Sequence, residues 1–532
     1  MMMKKSVSAA IAVLIAFSLT GCGTDPVNTA PSPAASSEPG VTEPNSPEPS
    51  PAGPYEVRNE YLADPGRMIE LADQSAAFWK NAYDPEYGGF FTYVSRDGSV
   101  DMTQPYKVTF IQSRAAYAFS RAYQLTGNEE YLDYARYALD FMYAHCWDRQ
   151  NGGWYQELNR DGSLPDEPLL PGMEWNAMKW LTLFTNKDIG AYVDATRNED
   201  DRARMIEGYR VLDSHMWDGR PGYEGYFERA DADWSDPMNK GLGPSEGSLQ
   251  EYLAIMPYLN QDAAEKQARL KTLADIYVNR IVGSMDSQDF GMIETFDSDW
   301  TPLNKPPQTN SGNFTKPAWF LAMAYLELPD EAYKTGALKL VGEVLYGGAY
   351  DDVNGGFYDT LSLNGQPADG RKGWWTLGQG VFTGLIAQYI SGNDEYLRMA
   401  DESMDFIMDH MYDREYGEMY GSTDADGSNP DTQKGNYFKG GQHAMELYYY
   451  GYLYGRLMLH DSPVSLYYMV DADDEARDII LEPISLGAGK SLAISGVTLD
   501  GEAYTDFDQR VLHVPAGTGG EFMVTFTPAD GS

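Results

Sequence analysis

The chain has 532 residues, with 80 Asp and Glu against 39 Lys and Arg and a formal net charge of −41 at pH 7. So acidic a surface repels nucleic acid and anionic polymers over long range, which leaves neutral ligands as the easier partners. Two cysteines in the whole chain exclude a disulfide framework.

In chain order, Lys4-Lys5, an apolar run from Val7 to Leu19 and Leu19-Thr20-Gly21-Cys22 read as an export signal. The last four residues resemble a bacterial lipobox, in which Cys22 becomes the lipidated first residue of the mature chain. The protein is therefore expected to be exported and lipid-anchored to the outer face of the bacterial cell membrane. The apolar run is too short to span a bilayer, and no second stretch of sufficient length follows, so the lipid would be the only membrane attachment. Residues 23–54 are rich in Pro, Ser, Ala and Glu, the composition of a disordered tether.

From residue 55 to 460 the dominant signal is repetition. Six times an aromatic-Asp or apolar-Asp pair opens a short Gly- and aromatic-rich turn, at Asp84, Asp148, Asp218, Asp286, Asp351 and Asp413, spaced 62 to 70 residues apart. Clear copies are Tyr83 to Phe90, Trp147 to Trp154 and Asp352 to Phe357; the copy from Asp286 to Phe296 keeps a single Gly291. Between the turns the apolar period is helical: residues 112–124 carry Ala115, Phe119, Ala122 and Tyr123 on one face, and Gly127-Asn128 stops that helix. Residues 129–145, 380–390 and 394–410 continue the scheme. One supersecondary unit used six times, two helices and a Gly-turn hairpin, predicts a mainly α fold, an (α/α)6 barrel. The repeated aspartates are expected to cap helices or pin turns. The rings after the Gly-Gly pairs are placed to face a central cavity, and aromatic faces suit the C–H faces of sugars. A neutral mono- or oligosaccharide is the expected ligand.

From Asp461 to Ser532 the pattern changes to short alternating runs (Val464 to Val470, Ser491 to Leu499, Arg510 to Val514, Glu521 to Phe526), predicting a small β-sandwich-like module with Leu512 and Phe526 in its core. Cys146, beside His145 at a helix end, reads as buried packing. His145, His215, His410, His460 and His513 lack ligand spacing, so no metal is expected. No Gly-rich phosphate loop follows a strand, so no nucleotide cofactor is implied.

Two stretches carry chemistry: Gln433-Lys434-Gly435-Asn436-Tyr437-Phe438-Lys439-Gly440-Gly441-Gln442-His443, and Asn310-Ser311-Gly312-Asn313-Phe314-Thr315-Lys316-Pro317-Ala318-Trp319. With Ser113-Arg114, Trp374-Trp375 and Gly417-Glu418, they resemble the N-acylglucosamine 2-epimerase superfamily over residues 65–460. The resemblance implies proton transfer at the carbon beside a sugar carbonyl, with His443 as a base, Arg114 as partner of the developing oxyanion and Trp375 as a stacking platform. It also places Asn313, Glu418 and Lys439 against the sugar. The chain departs from the family pattern where a Gly-His becomes Gly312-Asn313, a following Glu becomes Lys316, another histidine becomes Ser248 and a later glutamate becomes Gln379.

Only one of the expected histidines remains, which leaves several readings open. A single base, His443, with Arg114 and help from Lys316, suffices for aldose–ketose isomerisation on one face. Asn313, His443, Arg114 and a nearby Tyr are also the residue types of a glycan lyase. A carboxylate pair drawn from Glu246, Glu251, Glu294 and Glu418 would suit a glycoside hydrolase. A barrel without turnover would bind glycans only. The reading carried forward is a sugar epimerase- or isomerase-like enzyme with His443, Arg114 and Lys316 as its catalytic residues.

Overall fold

Helices alternate between two kinds along the chain. Those opening each repeat are buried all round: in Trp374–Ser391, apolar Leu377, Val381 and Ile386 and polar Gln379 and Thr383 are all buried. Those closing each repeat bury one stripe, as Tyr396, Leu397, Ala400 and Met404 do in Asp394–Phe406. A helix buried on every side belongs inside a second layer of helices, and one with a single apolar stripe belongs outside it.

The structure is a computed structural model that describes residues 54–167, 169, 181–285 and 289–530. The export signal with Cys22, the tether up to residue 53, and Asp286 lie outside the described residues. The helices are α1 (Met68–Trp79), α2 (Thr109–Thr126), α3 (Glu130–Phe141), α4 (Thr182–Thr196), α5 (Glu199–Met216), α6 (Leu242–Ile255), α7 (Ala263–Ile276), α8 (Gly312–Glu327), α9 (Glu331–Tyr346), α10 (Trp374–Ser391), α11 (Asp394–Phe406) and α12 (Gln442–Tyr454). The even-numbered helices form a closed inner ring, α2–α4–α6–α8–α10–α12–α2, and each is backed by an outer partner. Five hairpins are sequential, whereas the sixth is made from the two ends of the barrel sequence, α1 lying behind α12. The (α/α)6 barrel predicted from the repeat is the observed architecture. Gly127 stops α2, as the sequence implied, and Gly392 stops α10, both in the left-handed conformation.

The repeated aspartates pin turns, and the pin has a partner that the sequence reading missed. The Asp84 N–H donates to the Gly89 carbonyl and the Gly88 N–H to the Asp84 carbonyl, and the same closure recurs at Asp148, Asp351 and Asp413. In four copies a fully buried lysine just before the next inner helix reaches the carboxylate: Lys107 to Asp84 at 2.9 Å, Lys240 to Asp218 at 2.7 Å, Lys372 to Asp351 at 2.9 Å and Lys434 to Asp413 at 2.9 Å. Each ammonium also donates to a turn carbonyl, of Gly88, Tyr223, Gly355 and Gly417 respectively. The ring is closed by a similar contact: Arg96 grips Asp413 with two hydrogen bonds of 2.8 and 3.0 Å.

One sequence expectation fails here. The rings after the Gly-Gly pairs do not face the hollow. Phe90, Trp154 and Phe357 are buried in the wall, Phe90 packing on Phe119 of α2 with centroids 5.6 Å apart. A large apolar ring gains more by filling the gap between helix layers than by facing water.

The C-terminal strands are β1 (Val464–Val470), β2 (Arg477–Ile480), β3 (Lys490–Leu499), β4 (Glu502–Tyr504), β5 (Val511–Val514) and β6 (Gly520–Asp530). They form an antiparallel sheet of order β1-β6-β3-β4 and a separate β2-β5 pair. Leu512 and Phe526 are fully buried, as expected. The module lies against the inner helices: β1 packs on α2 and α4, and in the loop between β2 and β3 the Leu486 carbonyl accepts from Tyr389 near the end of α10 at 2.9 Å while Ser485 donates to Leu326 near the end of α8 at 3.1 Å. It thus covers the C-terminal end of the barrel and leaves the N-terminal ends of the inner helices to the Gly-turn rim.

Candidate active site

The first turns of the inner helices project polar side chains into the hollow at that rim. His443 and Glu446 stand three residues apart on α12, hence on one helical face, and His443 Nδ1 lies 2.7 Å from Glu446 Oε2. A carboxylate only accepts, so Nδ1 carries the proton and Nε2 is left as the basic nitrogen. Gln442 and Lys187 contact the other Glu446 oxygen, Oε1, at 2.8 and 3.5 Å. Against its burial, Glu446 is held ionised, well below the usual carboxylate range, by the His443 hydrogen bond and the Lys187 charge. Burial also dominates at His443 and draws its pKa down to about 4, with Arg114 and Lys316 opposing protonation further. The imidazole is therefore neutral and able to accept a proton throughout the neutral range.

A base that must be unprotonated is lost as pH falls through its pKa. The acid limb of kcat/KM should fall near pH 4 and the profile stay flat from 5 to 8. A limb near the ordinary histidine value of 6.5 in a pH–rate profile would remove His443 from the role of free-enzyme base.

Arg114 approaches from α2. Its guanidinium donates to the Phe438 carbonyl and lies over the Phe110 ring, 3.8 Å from its centroid. Burial lowers its pKa to about 10, which leaves it charged at neutrality. Its Nε has no hydrogen-bond partner among the described residues. On α4, Lys187 pairs with Asp188 at 2.8 Å, and Asp188 accepts from Ser113 at 2.7 Å. On α8, Lys316 is bound to Glu246 of α6 at 2.7 Å. The Trp375 ring of α10 lies 5.9 Å from His443 and the Trp374 ring 6.2 Å away. Trp375 also lies against Gly312, where a β-carbon would meet the indole at 2.2 Å, so only glycine fits beneath it. Asn313 follows directly, and its amide donates to Glu294 at 3.3 Å.

The structure thus brings His443, Arg114, Lys316, Asn313 and Trp375 around one hollow. It does not bring Glu418 and Lys439 to that surface. Both are wholly buried and pair at 3.5 Å, and Glu418 also accepts from Ser75 and, at 2.8 Å, from Trp79. Charges so enclosed and mutually satisfied brace α1 against the segment leading into α12. Glu246 is neutralised by Lys316, and Glu251 is fully buried and hydrogen-bonded to Asn186 through Oε1 at 2.7 Å. Cys146 is buried with its pKa pushed up to about 12, an inert thiol. Among the described residues, no group of His, Cys, Asp and Glu is disposed to hold a metal ion, and no helix is long and apolar enough to cross a membrane.

Sequence reasoning missed Glu446, Lys187 and Asp188. Glu446 had a readable signal, its place three residues after His443 in a helix. Lys187-Asp188 had none, because a charged pair inside a helical pattern looks like any solvated turn.

Residues 89–437 match the family model for N-acylglucosamine 2-epimerase (GlcNAc 2-epimerase). The cellobiose 2-epimerase of Bacteroides fragilis is 26% identical over 384 residues, covering 70% of this chain and 93% of that one. The D-mannose isomerase of Marinomonas mediterranea is 22% identical over 386 residues, covering 70% and 92%. In fold, the structure of cellobiose 2-epimerase from Spirochaeta thermophila superposes with a TM-score of 0.64 at 22% identity, covering 74% of this chain and 97% of that one. The chain belongs to the N-acylglucosamine 2-epimerase family.

Proposed function

We propose that the protein is a sugar isomerase or epimerase that moves a proton on the carbon beside the carbonyl of a ring-opened aldose. The observation that carries this reading is the His443–Glu446 pair: a neutral imidazole, fixed in one tautomer, with its free nitrogen beside a tryptophan platform. His443 takes the proton from C2. The charge passing to the carbonyl oxygen meets Arg114, whose Nε is unsatisfied and whose guanidinium stays charged in a dry site. The Trp375 face accepts the C–H surface of the sugar. Lys316, paired with Glu246, does not stand as a free base.

The names of the relatives supply the probes: cellobiose, N-acetylglucosamine and mannose. Incubation with each, followed by chromatography of the products, should give the C2 epimer or the ketose from at least one of them. New unsaturated uronides, new reducing ends, or binding with no conversion would instead support the lyase, hydrolase or binder. We further propose that Cys22 is lipidated and tethers the barrel outside the cell through residues 23–54. Labelled palmitate should then enter the wild-type chain and not the Cys22→Ala variant, which should leave the membrane fraction.

A further inference from the structure

The geometry points to Glu294 as a second proton-transferring residue, facing His443 across the hollow and serving the opposite face of the sugar, so that this site epimerises although position 313 is an asparagine. The inference rests on the proton-transfer reading above and assigns its stereochemistry.

The placement follows from topology. Glu294 directly precedes the strand Thr295–Phe296, which pairs with Lys240–Gly241 at the entrance to α6. In the six-member inner ring α6 stands opposite α12, the helix of His443. The Glu294 main chain is clamped on both sides: the Leu242 N–H donates to its carbonyl at 3.0 Å, and its own N–H donates to the Asn304 carbonyl at 3.3 Å. A β-carbon at residue 241 would meet that carbonyl at 2.3 Å, so Gly241 is what lets the strand pass so close. The carboxyl is oriented as firmly as the backbone. Thr309 and Asn313 both donate to Oε1, at 3.0 and 3.3 Å. Among the described residues Oε2 has no hydrogen-bond partner, and the side chain is half-buried rather than sealed. Asn313 therefore acts as a positioning residue: it donates to this carboxyl and directly follows Gly312, against which the Trp375 platform lies.

The surroundings shift this carboxyl toward its protonated form. Burial raises the Glu294 pKa, and the neighbouring Glu246 carboxylate adds to the effect, against the hydrogen bonds from Thr309 and Asn313. Glu228, itself pushed up to about 7, is a further acidic neighbour. The positive charge on that side, on Lys316, is already paired with Glu246.

The step balances without a further reactant. His443 Nε2 takes the C2 proton, and the electron pair left behind forms the C1–C2 double bond while the carbonyl oxygen becomes the anion facing Arg114. Glu294 delivers its carboxyl proton to C2 from the other face, the carbonyl reforms, and the product is the C2 epimer. The imidazolium gives its proton to water and the carboxylate recovers one from water. Delivery by His443 to C1 on its own face, with the O2 proton passing to O1 as the C2 carbonyl forms, gives the ketose instead.

The test is the product ratio on cellobiose, N-acetylglucosamine and mannose. Glu294→Gln keeps the shape and the Oε1 acceptor but has no proton to give, so the epimer-to-ketose ratio should fall by about 100-fold or more, the size of a lost general acid, while the thermal midpoint stays within a few degrees. Glu294→Asp, which withdraws the acid by one methylene, should give an intermediate ratio and serves if the glutamine variant does not fold. An unchanged ratio in a folded Glu294→Gln or Glu294→Asp protein overturns the assignment and leaves the His443 reading standing. A wild-type protein that converts none of the probes overturns both.

Discussion

Replacing His443 by alanine is expected to lower kcat/KM by about 100- to 10,000-fold, the span usual for a removed acid–base group, with the barrel still folded. The side chain is buried at the site, and among the described residues it is hydrogen-bonded to Glu446 alone. Its loss leaves Glu446 with Gln442 and Lys187, so the carboxylate is not stranded. Glu446→Gln should be milder in fold and distinct in kind: an amide oxygen can still accept from Nδ1, but the charge that stabilises the imidazolium is gone. Its kcat should fall with little change in KM, because that charge matters only once the proton has moved. Near-wild-type turnover in His443→Ala would show that the imidazole only packs against Trp375.

The second large effect is on stability. Lys372→Met should destabilise the barrel by about 3–5 kcal/mol, because breaking a buried pair strands its partner charge. Lys372 and Asp351 meet at 2.9 Å with the lysine wholly buried, and the ammonium also satisfies the Gly355 carbonyl. The pair fastens the turn leaving α9 to the strand entering α10, which carries Trp374 and Trp375. Adding Asp351→Asn should recover much of the loss, since the amide can still accept the turn N–H groups of Val353 and Asn354 without carrying a buried charge. Urea unfolding of the two variants measures both effects. A single variant as stable as the wild type would mean that water reaches Asp351 freely.

These two sites differ in how far the sequence announced them. The barrel was legible because its units repeat: Asp84 and its successors gave the period, residues 112–124 and 380–390 gave the inner helices, and the run from Val464 to Val470 marked β1 to the residue. The closing hairpin was not, since α1 and α12 pack on each other from opposite ends of the barrel sequence, and no local pattern spans that distance. Lys107, Lys240, Lys372 and Lys434 were hidden for a related reason: an isolated lysine reads as surface until its aspartate is brought to it. Within the site, family resemblance located Arg114, Asn313, Lys316, Trp375 and His443, which share one hollow. It misplaced Glu418 and Lys439 because a motif marks sequence position, whereas burial decides whether a side chain faces ligand or wall. Glu294 needed the fold, because only the ring order sets α6 opposite α12.

Incubation of the wild-type and His443→Ala proteins with cellobiose, N-acetylglucosamine and mannose in deuterium oxide, followed by proton NMR, addresses the mechanism at the reacting atom. The account predicts loss of the C2 proton signal of a converted sugar with the wild-type protein and its persistence with His443→Ala. A C2 proton retained in every sugar by the wild-type protein, or exchanged equally by the alanine variant, would contradict it.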